Sequence, residues 1–447
     1  MKSRSPPGAS QHDRKGCIMA RLSERHAWTA AILAATSALG LAGPSPATAG
    51  DYGLGDGDTV VFLGDSITAA RVYGRIVENY TLLRYPTRKV HFHNAGWGGD
   101  TASGGLKRLD RDVFPLKPTV VIVAYGVNDI GWGMKADDEH KKAYLDGIRG
   151  IVEACKAHGA RAYVCSAAAT AEAPETAEHG YLQTMCDEGM ALARSLGGRS
   201  IDVQRSMRAV QRRMAEGKAK ADPKDKDGHT LHVADGVHLN DLGQLAMALA
   251  IIKGLGAPAE VSSVSLAVDP AGPRVVAAEG CRATNLTGDA NRLEFDRLDD
   301  GLPLNLGLFG ALQYRYIPIP DEINRYMLTI QNLPPGDYTI QADGRPLGKF
   351  AADRLARGVN LASATADGWQ PGGPWEAQAW SLSDLTEARS RLAMSRIALA
   401  HHLPNNPRLA AIEAQTRAVD ERIETLQREI LAPRPFHFVV EKAAENP

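Results

Sequence analysis

The chain has 447 residues, of which 44% are hydrophobic and 23% are charged, a composition typical of globular proteins with sizeable cores. This length predicts two or three domains. The formal net charge is −1 at pH 7, and the part after residue 49 is more acidic still because the N-terminal segment is basic. A mildly acidic chain argues against a nucleic-acid-binding protein.

Residues 1–49 have the features of a secretory signal peptide. Arg21 and Arg25 precede an uncharged, mostly apolar stretch, and a small-residue Ala-Thr-Ala motif predicts cleavage before Gly50. Met19 is an alternative start that leaves a well-proportioned signal. The apolar stretch is too short for a good membrane span, and no cysteine follows it to carry a lipid anchor. We expect a secreted or periplasmic protein with no stable membrane span after cleavage.

Four cysteines follow the signal segment, and in an exported protein they allow up to three full disulfide pairings. The alternative is that they are small buried apolar residues. That alternative is favoured because three of them fall in predicted core helices and a core strand. The four are Cys155, Cys165, Cys186 and Cys281.

Residues 59–256 alternate between strand and helix patterns. The strand patterns lie at 59–63, 89–93, 119–124, 161–166 and 200–203. The helix patterns lie at 69–83, 101–111, 139–158, 178–196, a stretch that ends near 216, and 241–255. Regular alternation predicts a parallel five-stranded sheet with helices on both faces, a three-layer α/β/α domain over 50–258.

The composition changes after this domain. Residues 259–380 read as a smaller β-rich module, with strand patterns at 261–268, 274–278, 293–295, 326–331 and 337–342. Residues 381–447 predict a helical hairpin, broken at 402–407, and a C-terminal tail. Within the α/β domain, the charged stretch 217–228 predicts a solvated loop.

Four short polar motifs come directly after predicted strands or before the last predicted helix. They are Gly-Asp-Ser at 64–66, Asn-Ala-Gly-Trp-Gly-Gly-Asp-Thr at 94–101, Gly-Val-Asn-Asp at 126–129 and Asp-Gly-Val-His at 235–238. In open α/β sheets the carboxyl ends of the strands border the ligand-binding crevice. The motifs therefore predict one site at this edge of the sheet.

The four motifs, in this order, resemble those of the SGNH (GDSL-type) esterase and lipase superfamily. The resemblance covers residues 58–256 and implies the three-layer, flavodoxin-like fold of that family and hydrolysis of carboxylic esters. Leu239 stands where the family usually has proline after the histidine. The chain has no Gly-x-Ser-x-Gly elbow, which argues against the α/β-hydrolase family.

The resemblance implies a role for each of five residues. Ser66 is the nucleophile, His238 the general base and then the acid, and Asp235 the residue that orients His238. Gly99 and Asn128, with the Ser66 backbone N–H, form the oxyanion hole. These residue types fit the chemistry. A serine hydroxyl becomes a good nucleophile only when a base removes its proton, and the oxyanion of the tetrahedral intermediate needs hydrogen-bond donors. Without the resemblance, Ser66 could cap a helix, and Gly99 and Asn128 could serve loop geometry.

The predicted roles of other polar residues are less specific. Asn94, Asp100 and Asp129 are expected to brace the loops. His91 and His93 lack a third ligand at suitable spacing, so strand packing or surface exposure is favoured over a metal site, and the same holds for the pair at 401–402. No metal and no cofactor are expected, because the mechanism requires none.

The substrate is less well defined, because the family includes lipases, lysophospholipases, thioesterases and carbohydrate O-acetylesterases. The predicted export favours an extracellular polymer as the substrate. Trp97 and Trp132 lie in the two predicted oxyanion-hole loops, where their rings could stack on sugars or only pack within the loops. The preferred hypothesis is a secreted esterase that removes acetyl groups from polysaccharide. The alternatives are a lipid or short-chain lipase-type esterase, or a degenerate hydrolase that binds carbohydrate or a cell surface. Residues 259–447 could be a binding module, a structural brace or, through the hairpin, a dimer contact.

Overall fold

The computed structural model describes residues 52–220, 230–370 and 372–444. The predicted signal peptide and most of the predicted loop at 217–228 lie outside the described residues. The start of that loop is helical instead, because the helix before it continues to Lys220. None of the helices in the described ranges is long and apolar enough to cross a membrane.

The predicted parallel sheet is confirmed. Its five strands are β1 (Thr59–Gly64), β2 (His91–Gly96), β3 (Val120–Ala124), β4 (Arg161–Cys165) and β5 (Arg199–Ile201). Their order is β2-β1-β3-β4-β5, with every neighbouring pair parallel. Because β1 and β3 are interior strands covered on both faces, they consist almost entirely of buried aliphatic and aromatic residues.

Helices cover both faces of this sheet, as predicted. They are α1 (Ser66–Ala69), α2 (Val72–Arg84), α3 (Ala102–Lys107), α4 (Leu109–Asp112), α5 (Asp138–Ala157), α6 (Pro174–Ala177), α7 (Tyr181–Ser195), α8 (Val203–Lys220) and α9 (Asp241–Gly254). Side chains alternate between the faces along β1. Val60 and Phe62 belong to the core under α2 and α9, and Val61 and Leu63 to the core under α5.

The second half is richer in strands than the sequence predicts. It contains β6 (Glu260–Asp269), β7 (Gly272–Glu279), β8 (Cys281–Gly288), β9 (Arg292–Asp299), β10 (Arg325–Gln331), β11 (Asp337–Ala342), β12 (Arg345–Ala351), β13 (Val359–Asn360) and β14 (Phe436–Lys442). They form a four-stranded sheet, β13-β10-β6-β7, and a five-stranded sheet, β12-β11-β14-β9-β8. The last strand, β14, comes from the predicted C-terminal tail and lies between β11 and β9 in antiparallel register.

The predicted helical hairpin is formed by α13 (Trp375–His402) and α14 (Leu409–Ile430), after three short helices. Those are α10 (Gly307–Ala311), α11 (Ile319–Glu322) and α12 (Ala352–Arg357). The hairpin lies between β13 and β14 in the chain and packs against α2 of the first sheet. The buried Arg389 of α13 donates to the Glu78 carboxylate of α2 at 2.9 Å.

All four described cysteines are buried and unpaired. They therefore act as small apolar side chains in the described structure, the alternative that the sequence favours. Burial raises the pKa of the thiols of Cys155, Cys165 and Cys186 to about 12, so these thiols stay protonated at neutral pH.

Candidate active site

Ser66 lies where the chain passes from β1 into α1. The Asp65 carboxylate caps that helix by accepting the Ile67 N–H at 2.9 Å. Asp65, Ile67 and Thr68 are buried, whereas Ser66 is partly exposed. The apolar strand and the acidic cap therefore fix the backbone, and the hydroxyl remains accessible at the carboxyl end of the sheet.

The structure brings Ser66, His238 and Asp235 together. Ser66 Oγ lies 2.8 Å from His238 Nε2, and His238 Nδ1 lies 2.6 Å from Asp235 Oδ2. Because the Asp235 carboxylate can only accept, Nδ1 carries the proton and Nε2 is free to accept the Ser66 hydroxyl proton. The three groups form a hydrogen-bonded chain from hydroxyl to imidazole to carboxylate.

A tight turn before α9 holds Asp235 and His238 in this position. Asp235 Oδ1 accepts the backbone N–H groups of Val237 and His238, each at 2.9 Å. Leu239, in place of the expected proline, is buried and pairs with His232 in an antiparallel bridge. The side-chain bond to His238, followed by the two backbone N–H groups, lowers the pKa of Asp235 to about 2, so the carboxylate is ionised at neutral pH.

Gly99 and Asn128 lie on the two neighbouring loops. Gly99 has a φ of 73°, in the left-handed region that favours glycine. Asn128 donates from Nδ2 to the Asp100 carbonyl at 3.0 Å and accepts the Trp132 Nε1–H at 2.8 Å. These two contacts fix which end of the amide is the donor. The second N–H of Nδ2 can donate a further hydrogen bond.

The two tryptophans that the sequence predicts near the site are partly exposed beside these groups. The exposed fraction is 45% for Trp97 and 47% for Trp132. The Trp132 ring lies edge to face with His238, with 5.6 Å between ring centroids. Trp132 also has a left-handed φ of 59°, which is uncommon for a bulky residue. The Trp97 ring lies under the Arg111 guanidinium at 5.6 Å.

Arg108 braces the segment 94–101, which we call the Gly99 segment. Its guanidinium donates to Asp100 Oδ2 at 2.7 Å, to the Gly64 carbonyl at 3.2 Å and to the Tyr125 hydroxyl at 2.8 Å. It thereby joins the Gly99 segment to the last residue of β1 and to the residue that follows β3. Sequence reasoning missed Arg108, although an arginine eight residues after an aspartate of the motif was a usable signal.

The residues that are expected to brace the loops form hydrogen bonds with neighbouring backbone groups. Asn94 donates to the Thr68 carbonyl at 2.8 Å, and Asp129 accepts the Ala102 N–H at 2.9 Å. Burial raises the pKa of Asp129 to about 7 and that of Asp65 to about 6. Both carboxyl groups therefore bind a proton more tightly than in the unfolded chain.

The histidine pair on β2 does not come together with further metal ligands. His91 instead contacts the Glu424 carboxylate of α14 at 2.7 Å. Within the described ranges, no cluster of three or more His, Cys, Asp or Glu side chains is arranged to hold a metal ion.

Comparison with known families gives a match for the α/β half of the chain. Residues 62–246 match the model of the GDSL-like Lipase/Acylhydrolase family. After this match we call the α/β part of the chain the GDSL-like domain. The GDSL-like domain makes the protein a carboxylic ester hydrolase. A comparison with curated protein sequences gives no match.

The fold is shared with a solved structure, and two others are less similar. A gut microbial diltiazem-metabolizing enzyme is 22% identical with a TM-score of 0.73, over 87% of this chain and 98% of that one. An alpha/beta hydrolase from the metagenome of Lake Arreo, Spain, is 20% identical with a TM-score of 0.38, over 46% of this chain and 98% of its own. The acetylxylan esterase Axe2 from Geobacillus stearothermophilus is 21% identical with a TM-score of 0.36, over 45% and 95%. The first likeness includes the second half of the chain, so the fold similarity extends beyond the GDSL-like domain.

Proposed function

We propose that this protein is a secreted serine esterase that hydrolyses its substrate through Ser66, His238 and Asp235. The observation that carries the proposal is the pair of short contacts, 2.8 Å from Ser66 Oγ to His238 Nε2 and 2.6 Å from Nδ1 to Asp235. In this arrangement His238 removes the hydroxyl proton as Ser66 Oγ attacks the ester carbonyl. Asp235 keeps the imidazole in the required tautomer and stabilises the imidazolium that forms.

The reaction then proceeds in two halves. The tetrahedral intermediate collapses as the ester C–O bond breaks, and His238 gives its proton to the leaving alcohol. Water then attacks the acyl-Ser66 ester with His238 as base, and the acid is released. Both tetrahedral intermediates carry an oxyanion, which the N–H groups of Ser66, Gly99 and the Asn128 side chain stabilise.

For the substrate we propose the acetyl esters of a polysaccharide. The support is the pair of partly exposed tryptophans at the site, since flat aromatic faces beside a catalytic serine can stack on sugar rings. The second support is the predicted signal peptide, which would deliver the enzyme to polymers outside the cytoplasm. Mass spectrometry of the native protein tests export: a chain that begins at Gly50 is expected, and an intact 19–49 segment would contradict it.

Hydrolysis of p-nitrophenyl acetate, compared with longer acyl esters, tests the proposal, with Ser66→Ala as the control. Activity that requires Ser66 and is confined to acetate supports a deacetylase. Rates that rise with acyl length would instead support a lipase-type esterase. If the wild-type protein hydrolyses none of these esters and no acetylated polysaccharide, the proposed function is wrong.

A further inference from the structure

A cavity of about 790 Å³ lies between the GDSL-like domain and the helical hairpin, and we call it the hairpin cavity. The Gly99 segment forms one side of it, since Asn94, Gly96 and Trp97 are among the residues that line the cavity. Trp97 therefore lies both in the segment that carries Gly99 and in the wall of this cavity, which places the cavity beside the proposed active site. Neither the family match nor the proposed mechanism gives the cavity a role.

The contacts between helices fix which part of the hairpin lies near the site. Thr386 of α13 donates to Asn79 of α2 at 2.7 Å, and Arg389 of α13 contacts the preceding residue Glu78. The two helices are therefore antiparallel. Two turns further along α13, Arg396 lies near Arg71, the residue that precedes α2, and both line the cavity.

Arg71 is the unusual residue of the cavity wall. It is only 8% exposed and has a left-handed φ of 64°. Among the described residues its guanidinium has no carboxylate within ion-pair distance, and its hydrogen bond to the Asn94 carbonyl is long, at 3.5 Å. By contrast, Arg108 and Arg389 line the same cavity and each pairs with two or more carboxylates. A buried arginine without a counter-ion beside an open cavity is what an anion site looks like before its ligand binds.

Two other arginines increase the positive charge near Arg71. Burial, followed by the charges of Arg396 and Arg75, lowers the pKa of Arg71 to about 10, which still leaves it protonated at neutral pH. Each of these two neighbours has its own carboxylate, since Arg75 lies 3.6 Å from Glu387 and Arg396 lies 3.4 Å from Asp420. Arg71 adds a third cation to these two pairs. The three guanidinium groups therefore leave an excess of positive charge at this end of the cavity.

We propose that Arg71, with Arg396 of the hairpin, binds an anionic oxygen group of the substrate, so that the enzyme prefers ester-bearing saccharides with a carboxylate or sulfate to neutral ones. The planar guanidinium fork matches both groups geometrically. This inference depends on the proposed function only for the ester cleavage, because the anion site itself rests on Arg71 and the cavity. It also gives the hairpin a role, since the hairpin supplies Arg396 and one wall of the site.

Isothermal titration calorimetry with the full-length Ser66→Ala protein tests binding without hydrolysis. The probes are D-glucuronate, D-glucose and sodium sulfate. We expect glucuronate to bind at least about tenfold more tightly than glucose, and Arg71→Gln and Arg396→Gln each to weaken that binding by roughly 10- to 100-fold. Arg149→Gln, at an exposed position of α5, is the matched control and is expected to change nothing.

A second measurement compares the wild-type enzyme on acetylated glucuronate and acetylated glucose. We expect the ratio of the two kcat/KM values to exceed about ten and to collapse toward one in both cavity variants. If Arg71→Gln does not fold, the half-buried Arg396 still provides the test.

Equal binding of glucuronate and glucose without sulfate binding, or anion binding that neither substitution weakens, would overturn the inference. Sulfate binding that both substitutions weaken, without glucuronate binding, supports the anion site and assigns it to sulfated substrates. Retained anion binding in a protein that hydrolyses no ester would overturn the proposed function alone. Hydrolysis without anion binding would overturn the anion site alone.

Discussion

Asp235 uses both carboxylate oxygens within a four-residue turn, one for two backbone N–H groups and the other for His238 Nδ1. An amide has only one accepting oxygen, so Asp235→Asn must lose one set of contacts. We expect kcat to fall by about 10³–10⁴ because the imidazole tautomer is no longer fixed. Assays with p-nitrophenyl acetate measure this, with Asp241→Asn, at an exposed position of α9, as the control. A loss of less than tenfold would remove Asp235 from the mechanism.

Asn128 is aligned by Trp132 on one side and the Asp100 carbonyl on the other. If its second N–H stabilises the oxyanion, Asn128→Ala lowers kcat by about 10²–10³ and changes KM little. Trp132→Phe keeps an aromatic ring but removes the Nε1–H that holds the amide, so a smaller loss of kcat is expected. Steady-state kinetics of both variants measure the effect, and an unchanged kcat for Asn128→Ala would contradict the role.

Asp129 gives the site a pH-dependent stability. Its pKa is raised to about 7 by burial, so between about pH 4 and pH 7 the native protein holds a proton that the unfolded chain has lost. The contribution of Asp129 to the stability of the wild-type protein is therefore lost as pH rises through this window. Asp129→Asn cannot ionise and keeps an oxygen for the Ala102 N–H. We expect thermal melts to show little difference at pH 4 and a variant more stable by at least about 1 kcal/mol at pH 8. A gap that narrows as pH rises would contradict this.

At the scale of elements, one arginine joins the hairpin to the GDSL-like domain. Arg389 of α13 is buried and contacts Glu78 of α2 at 2.9 Å and Asp420 of α14 at 2.8 Å. Burial raises the pKa of Glu78 to about 7 even beside this cation. Arg389→Met leaves Glu78 buried without its partner, and we expect a loss of about 3 kcal/mol in urea unfolding.

Two further variants make the Arg389 experiment specific. Adding Glu78→Gln to Arg389→Met removes the uncompensated carboxylate and is expected to restore part of the stability. Arg391→Met removes an exposed pair on the same helix, with Glu387, and is expected to cost less than about 0.5 kcal/mol. Similar losses for Arg389→Met and Arg391→Met would mean that burial at this contact does not matter.

At the scale of the whole molecule, the first sheet follows from the sequence because strand and helix patterns alternate regularly and the interior strands β1 and β3 are continuous apolar runs. The site follows from four short motifs, three after strands and one before α9, and its expected residues come together. The strand β14 does not follow, because its partners β9 and β11 are more than 90 residues away in the chain and no local pattern encodes that pairing. The hairpin cavity was missed for the same reason, since Arg71 and Arg396 meet only after the hairpin packs.

The same long-range packing decides whether the chain divides into separable domains. The core that contains Phe62 of β1 continues without a break into the β-rich half, and Leu302 donates its N–H to the Leu83 carbonyl of α2 at 2.8 Å. We infer that residues 259–447 brace the GDSL-like domain. A fragment of residues 50–258 would then expose core side chains, and we expect it to be insoluble or to melt without cooperativity, whereas residues 50–447 are soluble. Circular dichroism and gel filtration of both measure this. A soluble monomeric fragment with a cooperative melt and full activity on p-nitrophenyl acetate would show instead that the second half is a separable module.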